Sequence, residues 1–179
     1  MINKKIRIIS GGQTGADQGG YDAAIKMQLE YGGWIPKNRK SENGKIPEKY
    51  KNLKEVDSSN YLVRTEKNIL ASYGTIIFLG DIRPTGGSKR TIDFCLKHNK
   101  PYLIVKLCDI YPSGKGFVGQ ERQKELEHLI LDFIKKLYII YPTDHPVINI
   151  AGSRESKCPG IQKKVEEVII NVVRKIEKN

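Results

Sequence analysis

Short apolar runs, each closed by glycine or a small polar residue and each followed by a helical pattern, recur along the chain. This alternation limits the fold more than any other feature. The clearest run is Gly74-Thr75-Ile76-Ile77-Phe78-Leu79-Gly80, continuous in β-branched and apolar residues and bounded by glycines. Such a run predicts a strand buried on both faces. Ile6 to Ile9, Pro101 to Leu107 and Pro146 to Gly152 read as further strands, and Gly33-Trp34-Ile35 as a short one. Helices are predicted from Gly15 to about Tyr31, from Tyr61 to Ala71 and from about Lys89 to His98. Two longer ones carry apolar stripes at helical spacing: Leu126, Leu129, Ile130, Phe133, Ile134 and Leu137, then Ile161, Val165, Val168, Ile169, Val172, Val173 and Ile176. Strands alternating with helices predict an α/β fold in three layers, with a mostly parallel central sheet and helices on both faces.

A chain of 179 residues fits one domain of roughly 100–200 residues, and neither a linker nor an internal repeat divides it, so residues 1–179 are read as a single domain. No apolar stretch approaches the roughly 20 residues that span a bilayer. The opening Met1-Ile2-Asn3-Lys4-Lys5-Ile6-Arg7 lacks a secretion-signal pattern. Cys95, Cys108 and Cys158 form no close-spaced pair, which suggests reduced thiols in a cytoplasmic protein. His98, His128 and His145 are equally scattered, and no metal site is expected. The net charge of +11 attracts anions in general, but the lysines are dispersed among acids. Dispersed charge is a poor footprint for nucleic acid, and a solvated basic surface is the simpler reading.

In a parallel sheet, the turns that follow the strands lie at one edge, where ligands of such folds gather. Three of these turns are built from small or polar residues: Ser10-Gly11-Gly12-Gln13-Thr14-Gly15, Thr85-Gly86-Gly87-Ser88-Lys89-Arg90-Thr91, and Ala151-Gly152-Ser153-Arg154-Glu155-Ser156-Lys157. Glycines admit close approach of backbone amides, and a helix N-terminus favours phosphate-like groups. Thr14, Ser88 and Thr91 offer hydroxyls, while Arg154 and Lys157 offer positive charge. Turn-making and helix-capping account for each loop taken singly; convergence of three predicts a shared anion site.

The first loop matches neither G-x-G-x-x-G nor G-x-x-x-x-G-K-[ST], which disfavours a conventional dinucleotide enzyme or P-loop NTPase. Asp17 reads either as a complement to the helix dipole or as a contact to a ribose hydroxyl or amine. Arg64 and Glu66 either pair on the surface or reach over the site. The polar stretch from Pro36 to about Ser59 is long for a connection and reads as a binding lid or a surface excursion.

Five segments taken in order, "ISGGQTGADQGGYDAAI", "GGWIPKNRKSENGKIPEKY", "YLVRTEKNILASYGTIIF", "TGGSKRTIDF" and "NIAGSRESKCPGI", resemble the family named "putative molybdenum carrier". That family is similar to molybdenum cofactor carrier proteins and to the wider Rossmann-like group that includes the cytokinin-riboside phosphoribohydrolases, once labelled lysine decarboxylases. The resemblance implies a Rossmann-like domain assembling into dimers or tetramers. It also implies a site for the molybdenum cofactor, a molybdate-like oxyanion or a nucleotide. The family's motifs fall on Gly11, Gly12, Gln13, Thr14, Gly15, Asp17, Arg64, Thr65, Glu66, Gly86, Gly87, Thr91, Gly152, Arg154, Glu155 and Lys157.

The phosphoribohydrolases carry G-G-x-G-T-x-x-E, whereas this chain reads Gly86-Gly87-Ser88-Lys89-Arg90-Thr91-Ile92-Asp93. Lysine replaces the third glycine, and the acid becomes Asp93. The expectation is therefore a binding or carrier protein for an anionic, phosphate-bearing ligand. The alternatives are a nucleotide-processing enzyme, such as a nucleoside monophosphate phosphoribohydrolase, using Asp93, Glu66 or Glu155; a nucleotide-sensing binding domain; and a nucleic-acid binder driven by charge alone.

Overall fold

The computed structural model describes residues 6–81, 83–111, 114–142 and 145–178; the opening Met1-Lys5 lies outside these. β1 (Arg7–Ser10) is followed by α1 (Ala16–Lys26), β2 (Tyr31–Ile35), a small hairpin of β3 (Lys40–Ser41) and β4 (Gly44–Lys45), and β5 (Leu53–Glu55). Next come α2 (Tyr61–Ala71), β6 (Gly74–Leu79), α3 (Gly86–Lys97) and β7 (Tyr102–Lys106). A second hairpin, β8 (Cys108–Tyr111) and β9 (Gly114–Phe117), leads to α4 (Gln120–Ile140), β10 (Val147–Gly152) and α5 (Ile161–Glu177).

Six strands form one parallel sheet in the order β5-β2-β1-β10-β6-β7. The last strand in sequence, β10, is inserted between β1 and β6. Side chains alternate across the strands. Ile8, Ile148, Ile150, Ile76, Phe78 and Val105 join the apolar stripes of α1, α4 and α5 in the main core. On the opposite face, Asn149 donates to the Thr75 hydroxyl at 3.2 Å, and α2 and α3 pack there. These are the three layers that the strand–helix alternation predicts, in a Rossmann-like arrangement.

Two local expectations change. The first helix ends at Lys26, not near Tyr31. Gln28 takes a left-handed φ of 53°, and the chain turns at once into β2, which starts at Tyr31. The stretch 36–59 is structured: β5 joins the sheet edge beside β2, and Ile46, Tyr50 and Val56 are buried. Arg39 fastens it, donating to the carbonyls of Ile46, Pro47 and Tyr50 at 2.9–3.1 Å. Tyr21, Ile35, Ile46 and Tyr50 make a small second core beneath it. The sequence shows no sustained period there because the burial comes from isolated side chains.

Candidate functional site

Adjacent strands place adjacent loops. In register, Ser10 pairs with Ile150 and Gly152 with Phe78, so β1, β10 and β6 end side by side. Ser153 ties their three loops together. Its N–H donates to the Phe78 carbonyl at 2.8 Å, and its carbonyl accepts from the Ala16 N–H at 3.1 Å. Its hydroxyl accepts from the Gly80 N–H at 3.0 Å.

A cleft of about 170 Å³ opens where the second and third loops face each other. Thr85, Gly86, Gly87 and Ser88 line one side, Gly152, Ser153, Arg154 and Lys157 the other, with Asp81 at the end of β6. α3 begins at Gly86 without a side-chain cap. The first amides of a helix have no intrahelical acceptor, so this end is electropositive. A Cβ added at Gly86 or Gly87 meets nothing within 4 Å, so both glycines face open space, while the Ser88 N–H turns back to the Thr85 carbonyl at 3.1 Å.

The first loop is closed. The Gln13 N–H donates to Asp17 Oδ2 at 3.1 Å, and the Thr14 N–H donates to Gln13 Oε1 at 3.1 Å. The Gln18 side chain donates to the Gly12 carbonyl at 3.1 Å. Gly15 has φ 81°, and a Cβ on it would lie 2.4 Å from the Ser153 carbonyl oxygen. Only glycine fits this position, because both the conformation and the neighbouring backbone exclude a side chain.

Asp17 is buried and lies 3.3 Å from Arg64 Nη1. Burial raises its carboxyl above the ordinary carboxylate value, against the opposing pull of Arg64, the Gln13 amide and the Ser10 hydroxyl. The Arg64 guanidinium rests directly on Gly11. Asp17 and Arg64 therefore tie α1 and α2 to the first loop.

Several residues named from the sequence lie away from the cleft's lining. Gly11 to Gly15 do not line it; Gly15 instead packs on the backbone of residues 153–155. Thr91 donates its hydroxyl back to the Gly87 carbonyl at 3.0 Å, and Thr65 donates to the Tyr61 carbonyl at 2.8 Å. Glu66 contacts Lys97 at 2.8 Å and His98 at 2.7 Å, at the far end of α3. Those two partners hold its carboxyl below the usual value. Glu155 caps α5, accepting from the Gly160 N–H and, at 3.0 Å, the Gln162 N–H. Asp93 is 3.8 Å from Arg90 on the surface of α3.

The sequence reading missed Asp81 and the linking role of Ser153. Position gave a signal for both: Asp81 sits two residues and Ser153 one residue beyond a buried strand, at the sheet edge where the loops converge. Cys108 and Cys158 also approach, Sγ to Sγ 3.2 Å, below that edge. Burial and the neighbouring thiol push Cys158 up to about 12. Among the described residues, no group of three or more His, Cys, Asp or Glu is placed to hold a metal ion. No described helix is long and apolar enough to cross a membrane.

A family model described as the circularly permutated YpsA SLOG family matches residues 8–173. A solved structure titled "Putative molybdenum carrier protein", from Syntrophus aciditrophicus SB, is 37% identical and covers 96% of each chain, with a TM-score of 0.78. No curated protein matches the chain.

Proposed function

The chain belongs to the circularly permutated YpsA SLOG family, and from that premise we propose that it binds a small anionic, phosphate-bearing ligand in the cleft between β6 and β10. The observation that carries this reading is the uncapped first turn of α3, whose open Gly86 and Gly87 share the cleft with Arg154 and Lys157. Amides at a helix N-terminus, a Ser88 hydroxyl and two cationic side chains form a donor set suited to phosphate.

The name of the solved relative suggests the molybdenum cofactor as the first ligand to consider. The cleft's donors fit the anionic end of such a group. When bound, the cofactor brings its own ligands for the metal, and the chain's part is to hold the phosphate. At about 170 Å³ the cleft is smaller than the roughly 300–1,000 Å³ of pockets that enclose a whole ligand. It therefore suits a phosphate end, with the remainder of the ligand outside. A second reading, a nucleotide-processing enzyme, draws on Asp81, the acid that lines the cleft.

Calorimetric titration with the molybdenum cofactor, molybdate and AMP tests the first reading. Binding of a phosphate-bearing ligand, weakened about tenfold or more in Arg154→Ala, supports it; losing one charge-assisted contact is worth that much. No binding by any of the three up to millimolar concentration overturns it. AMP recovered intact favours a carrier, and release of free adenine favours the enzyme.

A further inference from the structure

Glu42 lies at the turn of the β3–β4 hairpin, yet its carboxylate reaches the loops that follow β1 and β10. Oε1 accepts from the Thr14 hydroxyl and, at 3.3 Å, from the Ser156 N–H. Oε2 accepts from the Ser156 hydroxyl at 2.7 Å and lies 3.8 Å from Arg154 Nη1. The side chain is only 13% exposed. Two hydroxyls, one main-chain amide and one guanidinium thus surround two oxygens. That is a donor set for an oxyanion, filled by the chain's own carboxylate.

The surroundings suit an exchange. Arg154 also lines the cleft, so the two places are contiguous. Strands β3 and β4 pair only with each other and not with the main sheet. The hairpin's base is fastened by Arg39 and Ile46, while its turn is held to the loops through Glu42 and the 2.9 Å bond from the Glu42 N–H to Gln13 Oε1. The turn can therefore lift without breaking the sheet.

We propose that Thr14, Ser156 and Arg154 form a second anion subsite, occupied by Glu42, and that a ligand with two linked anionic groups displaces this carboxylate and lifts the β3–β4 turn. The ligand class is a pyrophosphate or nucleoside diphosphate, one phosphate in the cleft and the next in place of Glu42. This inference rests on the cleft being an anion site. An internal anion lowers apparent affinity by the fraction of molecules it keeps closed, so removing it tightens binding.

The test is calorimetry of the full chain with pyrophosphate and with inorganic phosphate, using the wild type, Glu42→Ala and Glu42→Gln, with circular dichroism confirming that each variant is folded. The isosteric glutamine variant serves if the alanine variant does not fold. Both variants are expected to bind pyrophosphate about tenfold more tightly than the wild type, with a smaller gain for phosphate. Adding Thr14→Val to Glu42→Ala should erase the gain. In the wild type, hydrogen exchange of residues 40–45 should speed up when pyrophosphate is added.

Wild-type binding of pyrophosphate with no gain in either variant overturns this inference and leaves the cleft reading intact. An equal gain for both anions overturns the two-group ligand, and unchanged exchange at 40–45 overturns the lifting turn. No binding of either anion by any of the proteins overturns the cleft reading as well.

Discussion

The loops after β1 and β10 differ sharply from the loop after β6, although all three leave the same sheet edge. The first pair is knitted together. Gly15 packs on the backbone of residues 153–155, Ala16 donates to Ser153, and Asp17 and Arg64 tie α1 and α2 to the first loop. The loop after β6 is open: Gly86 and Gly87 are exposed, and the Thr85 side chain makes no cap to its helix. Loops bonded and packed against each other build a frame, whereas a helix start that no side chain caps and no neighbour covers leaves room for a guest. A glycine-rich turn can thus be glycine-rich for packing or for binding, and its neighbours decide which.

The largest effect is expected at the frame. Arg64→Ala leaves Asp17 buried without its ion-pair partner, and thermal or denaturant unfolding should show a loss of about 3–5 kcal/mol. The pH dependence has a definite sign. A carboxyl whose folded pKa is raised contributes most below its unfolded value of 3.8 and loses that contribution as pH rises through the folded pKa. The deficit of Arg64→Ala should therefore be greater at pH 8 than at pH 5, and Asp17→Asn in the same background should recover part of it. A deficit independent of pH would show that the pair does not hold the frame.

A glycine swap separates the two kinds of loop directly. Gly15→Ala should cost about 1–3 kcal/mol from its left-handed backbone alone. Gly87→Ala meets open space and should change stability by no more than about 0.5 kcal/mol, yet weaken AMP binding. Equal stability losses at both positions would erase the distinction between frame and opening.

The smallest effect concerns Glu42. Burial pulls its carboxyl upward, but the Thr14 and Ser156 donors and Arg154 outweigh it, so its folded pKa is lowered from 4.5. Its contribution is present above pH 4.5 and fades as pH falls through the lower folded value. Wild type should exceed Glu42→Gln by up to about 1 kcal/mol at pH 7, with the gap shrinking in acid. A gap that widens below pH 4.5 would contradict the assigned contacts.

Much of the fold was legible in the sequence. The helix from Tyr61 to Ala71 and the strand opening at Gly74 fall where periodicity put them, since their burial repeats regularly. β5 was not legible, because three residues at a sheet edge carry no pattern. The loops were legible as special turns, but their division of labour was not. Glu155 looks like an anion-site residue in sequence and is a helix cap in space. Glu42 gave no signal at all, since its partners lie 28 and 114 residues away.

Sequence alone determined the layers, because hydrophobic periodicity is a local property that each element carries with it. It also determined that three strands end in turns of small and polar residues. Only the tertiary structure decided that β10 lies between β1 and β6, which of the three turns stays open, and which carboxylate sits against Thr14 and Ser156. Those outcomes depend on contacts between distant segments, and a hydrogen-bond donor is available to a ligand only when no other part of the chain reaches it first.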